Sequence, residues 1–392
     1  MPTPAKLRRL TRTFVRFFES GRTGAMLLGA CVVLAMLLAN SAAAPTYFAF
    51  WEVRLAGMSL SHWVNDALMA IFFLLIGLEL ERELYSGELS TRQNALLPAV
   101  AAIGGMVAPA LIHLTLNRGS PTQAGFGIPM ATDIAFALGV IALLGNRVPA
   151  SLKVFVVAFA VIDDLGAIIT IAIFYTAQIS WGYLAAAIAV WATLAALNWK
   201  WRVMALAPYL LGGALMWFLM LQSGLHATLA GVALAFAIPF SARDDDAQSP
   251  SHRLENILHK PVAFFILPVF ALANAGVVVG ADWLQGLASA NGLGIMAGLV
   301  LGKPVGIALA CMLAVGMGVC RLPDDLNWRH IWGAGMLGGI GFTMSIFIAN
   351  LAFPDAHDVV NASKMAILLA SVTAAVLGYV ALHAGGNCAK RA

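Results

Sequence analysis

The segment Leu152–Tyr175 is almost wholly apolar, yet two adjacent carboxylates, Asp163 and Asp164, sit in its middle. An apolar run of about 20 residues is long enough to cross the hydrocarbon of a bilayer as a helix. An aspartate at mid-bilayer costs about 2.5–3.5 kcal/mol on insertion scales. A third acid, Asp133, interrupts the preceding apolar segment beside Thr132. Three acids kept at that cost point to a hard-cation or proton site more than to a satisfied structural pair. Neighbours on a helix point about 100° apart, so Asp163 and Asp164 cannot share one face. One is expected to look into a wet cavity while the other meets a neighbouring helix.

The rest of the chain fits the same setting. Of 392 residues, 61% are hydrophobic and only 11% charged, against about 25% charged in soluble domains. Mean hydropathy is +0.86. Twelve spans are expected: Gly24–Asn40, Ser61–Leu80, Ala95–Leu116, Phe126–Leu144, Leu152–Tyr175, Gly182–Asn198, Met204–Leu221, His226–Phe240, Pro261–Val279, Gly292–Gly316, Ile331–Asn350 and Ala362–Leu382. The fold class is therefore an all-α polytopic membrane protein. Long apolar runs in place of alternating strands exclude an outer-membrane barrel. Loops on the N-terminal side hold nearly all the basic residues, and the other side has only Arg54 and Arg118. That asymmetry puts both termini in the cytoplasm. The net charge of +4 is no nucleic-acid signal, because the basic residues lie at segment ends. Cys31, Cys311, Cys320 and Cys388 show no metal spacing, and no disulfide is expected. No short apolar core with a small-residue cleavage site opens the chain, so no cleaved signal peptide is expected.

Outside the spans, Lys6 to Arg22 mixes basic residues with Leu7, Leu10, Phe14, Phe17 and Phe18. That periodicity suits a cytoplasmic helix lying on an anionic membrane surface. In the first external loop Trp51, Val53 and Leu55 alternate with Glu52 and Arg54, with Ala56-Gly57 to turn the chain back. Period two predicts a β-hairpin, and an exposed hairpin edge invites pairing with a second copy.

Two spans carry breakers. The fourth contains Gly125, Gly127, Pro129 and Thr132-Asp133; the eleventh contains Gly333, Gly335, Gly338, Gly339, Gly341 and Thr343. Proline removes a backbone donor and glycine loosens the helix, so both spans are expected to unwind in mid-membrane. Irregular backbone survives there only where it is buried or lines a wet cavity. Paired broken helices in corresponding parts of two halves mark inverted-repeat transporters. The repeats would be residues 95–175 and 292–382 of a single transporter domain, since the two sets of spans start from opposite sides.

Two such breaks would point four half-helix ends at one another, positive at N-termini and negative at C-termini. Asp133 is placed to offset the positive ends. Lys303, in Gly302-Lys303-Pro304 far from either end of its span, is placed to offset the negative ones. Asp163 and Asp164 would be the exchanging groups, with Thr132 and unwound carbonyls completing an oxygen shell for sodium or lithium. Burial favours the neutral form of a carboxyl group, and a like-charged neighbour favours it further. Competition of a proton and a cation for one site then gives exchange without a second pathway. A second cluster lies at the cytoplasmic ends: Glu79, Glu81, Arg82 and Glu83, with Glu255 and His259. Glu79 and Glu255 face the cytoplasmic funnel, where titration can gate entry; Glu81 and Glu88 read as solvated helix ends. His226 opens the eighth span near the external face, either as a cap or as a pH-responsive group. His113 and His383 read as interfacial.

These residues resemble the NhaA sodium/proton antiporter family, for which broken helices in inverted repeats are a known plan. The likeness runs over nearly the whole chain. It is carried by Phe73–Glu79 with Arg82-Glu83-Leu84, Ala131–Gly139, Ile162–Ala167, Gly224–Gly231, Phe270–Gly276, Gly302-Lys303-Pro304 and Gly339–Phe347. The resemblance implies an electrogenic antiporter of the bacterial inner membrane. It would exchange cytoplasmic sodium or lithium for more than one external proton, become active at alkaline pH, and serve sodium extrusion and pH homeostasis. It also implies a homodimer joined through the hairpin at 45–60. By motif, Asp163 and Asp164 bind cation and protons, supported by Asp133, Thr132 and Lys303. Glu79, Arg82, Glu83, His226, Glu255 and His259 match positions linked to pH response. Asn256 and His252 depart from the family pattern there, which bears on the pH profile. The expected partners are the bilayer, sodium, lithium, protons and a second copy, with no nucleic acid; no cofactor and no enzyme activity are expected.

Other classes fit less well. An intramembrane aspartyl protease keeps its two acids on separate helices beside a Gly-x-Gly-Asp stretch, which this chain lacks. A retinal protein using Lys303 would have seven spans. A sodium-coupled solute symporter of similar broken-helix plan is the alternative; flux of sodium and protons in opposite directions separates the two.

Overall fold

The computed structural model describes residues 23–85, 87, 90, 92–176, 179–240 and 249–386. The expected surface helix at Lys6–Arg22, Glu88 and Cys388 lie outside them. The architecture is a helical bundle with one two-stranded antiparallel sheet among the described residues. Nine helices in that set are long and apolar enough to cross a membrane, or up to eleven if each of two bent pairs is one span.

The chain opens with α1 (Thr23–Ala39), bent by 113° into α2 (Ala44–Glu52). The hairpin that follows is smaller than expected. Trp51 belongs to α2, which has Pro45 in its first turn, and only Arg54–Leu55 pairs with Met58–Ser59. Ala56 (φ 51°) and Gly57 (φ 88°) make the turn, a tight hairpin connection needing positive φ at both central residues. Next come α3 (Leu60–Tyr85) and α4 (Arg92–Leu116).

The fourth expected span is broken. A 3₁₀ segment, Pro121–Met130, gives way to extended backbone at Ala131 and Asp133, and α5 (Ile134–Leu144) begins after it. The two aspartates lie midway along α6 (Ala150–Phe174). Then follow α7 (Trp181–Trp199) and α8 (Leu206–Ser223). The expected span His226–Phe240 contains only the short α9 (Leu229–Ala235), because turns occupy both of its flanks. Gly231 in α9 lies against the Ala70 carbonyl of α3, a close approach that a side chain would block.

The later helices are α10 (Pro250–Asn274), α11 (Trp283–Ala288), α12 (Ala290–Gly316), α13 (Trp328–Gly338), α14 (Phe342–Ala352) and α15 (His357–Gly386). The break between α13 and α14 bends the chain by 45° at Gly339–Gly341. In α12, residues Gly298–Gly302 widen into a π-turn immediately before Lys303 and Pro304. Proline lacks the amide hydrogen and crowds the carbonyl four residues back, so a widened turn relieves both problems. Helices α4 and α12 meet at Gly104 and Gly306, each so close to the other's backbone that a Cβ would overlap it. This contact sets Lys303 one turn away at the centre of the molecule.

A charged site at the crossing of two broken helices

The two breaks meet and satisfy each other's backbone. The Asp133 amide donates to Ile340 O (2.6 Å), and Thr132 Oγ1 lies 2.9 Å from Gly338 O. Ser345 Oγ donates to Ile128 O (2.7 Å), and Phe136 stacks edge-on against Phe342 with centroids 5.0 Å apart. Buried peptide groups must find partners, and here unwound backbone from one span supplies them to the other.

Asp133 sits at two helix N-termini at once. It caps α5 through Oδ1, which accepts from Phe136 N–H at 3.1 Å. Its Oδ2 accepts from Thr343 N–H (3.0 Å) and from the Thr343 hydroxyl, both in the first turn of α14. A carboxylate facing two positive helix ends is the charge balance expected from its position in the sequence. In the sequence Thr343 stands out only as part of a glycine-rich break.

Lys303 is fully buried. Its Nζ donates to Met130 O at the C-terminal end of the 3₁₀ segment, to Thr132 Oγ1 (2.7 Å) and to Asp163 Oδ2 (2.6 Å). All three ammonium hydrogens are engaged. The lysine therefore meets a negative helix end, as expected, and also forms a salt bridge with Asp163. That pairing joins residues 140 apart and has no local sequence signal. Thr132 Oγ1 is also 2.6 Å from Asp163 Oδ2, so one hydroxyl hydrogen has two acceptors, the carboxylate and Gly338 O.

Asp164 differs from its neighbour. It too is fully buried, but neither of its oxygens has a partner. Among the described residues, five buried side-chain nitrogen or oxygen atoms lack a hydrogen-bond partner. Three of them are Asp163 Oδ1, Asp164 Oδ1 and Asp164 Oδ2. Buried carboxylate oxygens left this way are costly unless a proton or cation joins them. The two acids do differ: Asp163 bonds to Lys303 of α12, as expected of one of the pair, but Asp164 is 0% exposed, where a side chain facing a wet cavity was expected. No group of three or more His, Cys, Asp or Glu ligands gathers among the described residues. The donor set here is carboxylate, hydroxyl and carbonyl oxygen, which suits a hard monovalent cation or a proton.

The second expected cluster joins α3 to α10. Arg82 bridges Glu83 (3.1 Å) and Glu255 (2.9 Å), and His259 Nε2 is 3.3 Å from Glu79. His252 lies 3.8 Å from the other oxygen of Glu255, and Asn256 turns back to the His252 carbonyl. Glu81 corrects its reading as a solvated end. It is buried and accepts from Ser251 Oγ at 3.2 Å, because the start of α10 packs over it. His226 stands apart from this cluster, in the turn before α9. Its Nε2 donates to Tyr175 O at 3.0 Å, and burial holds its imidazole below the ordinary histidine range. His113, expected at an interface, is wholly buried.

A membrane-spanning bundle whose two broken helices enclose an unpaired carboxylate and a lysine–carboxylate pair defines an ion-translocating membrane protein. Comparison with known proteins places it more narrowly. The family model described as Na+/H+ antiporter 1 matches residues 15–382, and the chain belongs to that family. A protein of Dechloromonas aromatica named Na(+)/H(+) antiporter NhaA is 66% identical over 372 residues, covering 95% of this chain and 96% of that relative. One from Cytophaga hutchinsonii with the same name is 55% identical over 370 residues, covering 94% and 95%. One from Pseudomonas syringae pv. syringae, named Na(+)/H(+) antiporter NhaA 2, is 49% identical over 384 residues, covering 97% and 98%.

Proposed function

We propose that this protein exchanges sodium or lithium from the cytoplasm for external protons, with Asp163 and Asp164 as the shared site. The observation that carries this reading is the asymmetry of the pair: Asp164 buried with no partner, Asp163 held by Lys303 and Thr132. In the proton-loaded form the acids carry hydrogen. A sodium ion arriving at Asp164 draws Asp163 Oδ1 and Thr132 towards it, and the same charge repels the Lys303 ammonium from Asp163. Cation and protons thus exclude each other at one set of oxygens, which enforces exchange. Lys303 either releases a proton when it leaves Asp163 or serves only as the displaced counter-charge. Asp133 keeps the two helix N-termini from competing for the cation.

The rest of the reading follows from the same site. The chain is proposed to cross the bacterial inner membrane twelve times, both termini cytoplasmic, with residues 95–175 and 292–382 as inverted repeats. The crossing of the two broken spans, one in each proposed repeat, supports that arrangement. The Glu79, Arg82, Glu83, Glu255 and His259 cluster is proposed as the cytoplasmic pH-responsive element behind activation at alkaline pH. Apparent sodium affinity measured against pH for Glu255→Gln checks it; an unchanged profile would return that role to the aspartates. The exposed strand Arg54–Leu55 is proposed to join two protomers, which cysteine cross-linking at the hairpin tests. A solute symporter lacks support from a site so fully occupied by charged side chains.

The decisive experiment uses everted vesicles with a respiration-driven proton gradient and a pH dye. Adding sodium or lithium should dequench the dye, because protons leave as cation enters. Sodium uptake with no proton movement would overturn the antiport reading.

A further inference from the structure

We propose that the groove between α13 and α15 binds one anionic phospholipid, its phosphate at Arg329 and one acyl chain laid along α15 towards the π-turn before Lys303. Two hollows mark the ends of this groove. One, of about 340 Å³, is lined by Arg329 and Trp332 of α13 and by Ala381 and Ala384 of α15. The other, of about 310 Å³, lies between α12 and α15, with Val300 and Leu301 on one side and Leu369 and Thr373 on the other.

Both hollows open on one stripe of α15. Leu369, Thr373, Leu377 and Ala381 follow one another at four-residue spacing, and residues so spaced are neighbours on a helix surface. From Leu369 to Ala384 the stripe is about 22 Å long at 1.5 Å per residue. The hydrocarbon of one leaflet is about 15 Å deep, so the stripe can hold a chain from the headgroup layer to the bilayer midplane. Alanine at 381 and 384 keeps the outer hollow open. Thr373 Oγ1 donates to Leu369 O at 2.8 Å, so the floor presents no unmet polar group to a hydrocarbon chain. Val376 and Val380, beside the stripe, are 56% and 57% exposed, as suits a surface that meets lipid.

Charge selects the headgroup. Arg329 and Trp332 are three residues apart in the first turn of α13 and share a face. An aromatic ring beside a cation at the end of a span belongs at the membrane interface. This end of α13 lies on the basic side of the chain, which the proposed topology puts in the cytoplasm. Basic pockets between spans on that side bind anionic headgroups, and the forked donors of a guanidinium match phosphate oxygens. None of the salt bridges among the described residues engages Arg329. Of the two acids in the preceding loop, Asp325 accepts from Ser151 of α6 at 2.7 Å, and Asp324 is exposed. At the inner end, Val300 and Leu301 belong to the π-turn Gly298–Gly302, and Lys303 follows it. The chain end therefore rests against the turn that carries the buried lysine. The site requires the bilayer but not the antiport reading.

The test uses the full-length protein in detergent and a phosphatidylglycerol with a diazirine at the end of one acyl chain. After illumination, label should concentrate in residues 296–301 and 369–373. Arg329→Gln should lower that label about tenfold, as for loss of one charged hydrogen-bonded contact. Ala381→Phe keeps the charge but fills the groove, and should lower it as well. The same probe built on phosphatidylcholine, whose headgroup brings its own cation, should label these residues less. Unmodified phosphatidylglycerol should raise the melting temperature of the parent more than that of Arg329→Gln. Label scattered over other helices, equal labelling by the two headgroups, or full labelling of Arg329→Gln would overturn the proposal. So would an Ala381→Phe protein that turns from dimer to monomer, since the groove would then belong to a second copy. If Ala381→Phe does not fold, the exposed substitution Arg329→Gln decides. Labelling needs no transport, and repeating it on Asp164→Asn keeps the lipid result separate from failure of the ion site.

Discussion

Lys303 has three hydrogens on Nζ and three acceptors waiting for them, while Asp164 one helix away has none to receive. This contrast was only half legible in the sequence. Asp133 and Lys303 announced themselves as charges inside apolar spans, and their roles at opposite helix ends followed from elementary electrostatics. The Lys303–Asp163 bond, across 140 residues of chain, depends on the crossing itself and has no local signal. Glu81 and His113 were misread for a related reason, since helix-end position says nothing about what packs over the end. Asp133→Ala removes the acceptor from the first turns of α5 and α14 and should cost about 3–5 kcal/mol, as for breaking a buried charged arrangement. Asp133→Asn, which keeps one oxygen, should cost less. Thermal unfolding in detergent checks both, and melting together with the parent would count against this placement. His226 gives a pH-dependent case. Its folded pKa lies below the ordinary value, so its stabilising contribution is full above about pH 6.5 and is lost as pH falls towards the folded value. The melting temperature of the parent should therefore fall more steeply on acidification than that of His226→Gln.

Helices hold this site in place through absences as much as through contacts. The π-turn at Gly298–Gly302 and the glycine pair Gly104 and Gly306 let α4 and α12 touch backbone to backbone, and Lys303 projects from that seam. The breaks in the fourth and eleventh spans were readable because proline and glycine have few other uses at that depth. The short extent of α9 was not, since hydropathy marks the apolar run but not where turns replace helix within it. The hairpin turn at Ala56-Gly57 was also readable, but Trp51 falls in α2 because the helix with Pro45 in its first turn runs on to Glu52. Gly306→Ala should force the two helices apart, costing about 1–3 kcal/mol as other overpacking does, and should lower transport at least tenfold by moving Lys303. Gly316→Ala, with open space around it, is the control. Paired melts and flux assays in which the two variants behaved alike would contradict the seam.

Over the whole molecule, membership in the Na+/H+ antiporter family fixes the kind of cargo, and the unpartnered oxygens of Asp163 and Asp164 are where cargo and proton are proposed to meet. Asparagine matches aspartate in size and keeps one oxygen, yet it binds no proton at neutral pH and carries no charge. The central measurement is sodium-driven proton release by Asp164→Asn in everted vesicles, with insertion confirmed by melting temperature. The account predicts a stably folded protein, freed of an unpaired buried charge, in which sodium no longer dequenches the dye. Exchange at the parental rate in that variant would contradict it.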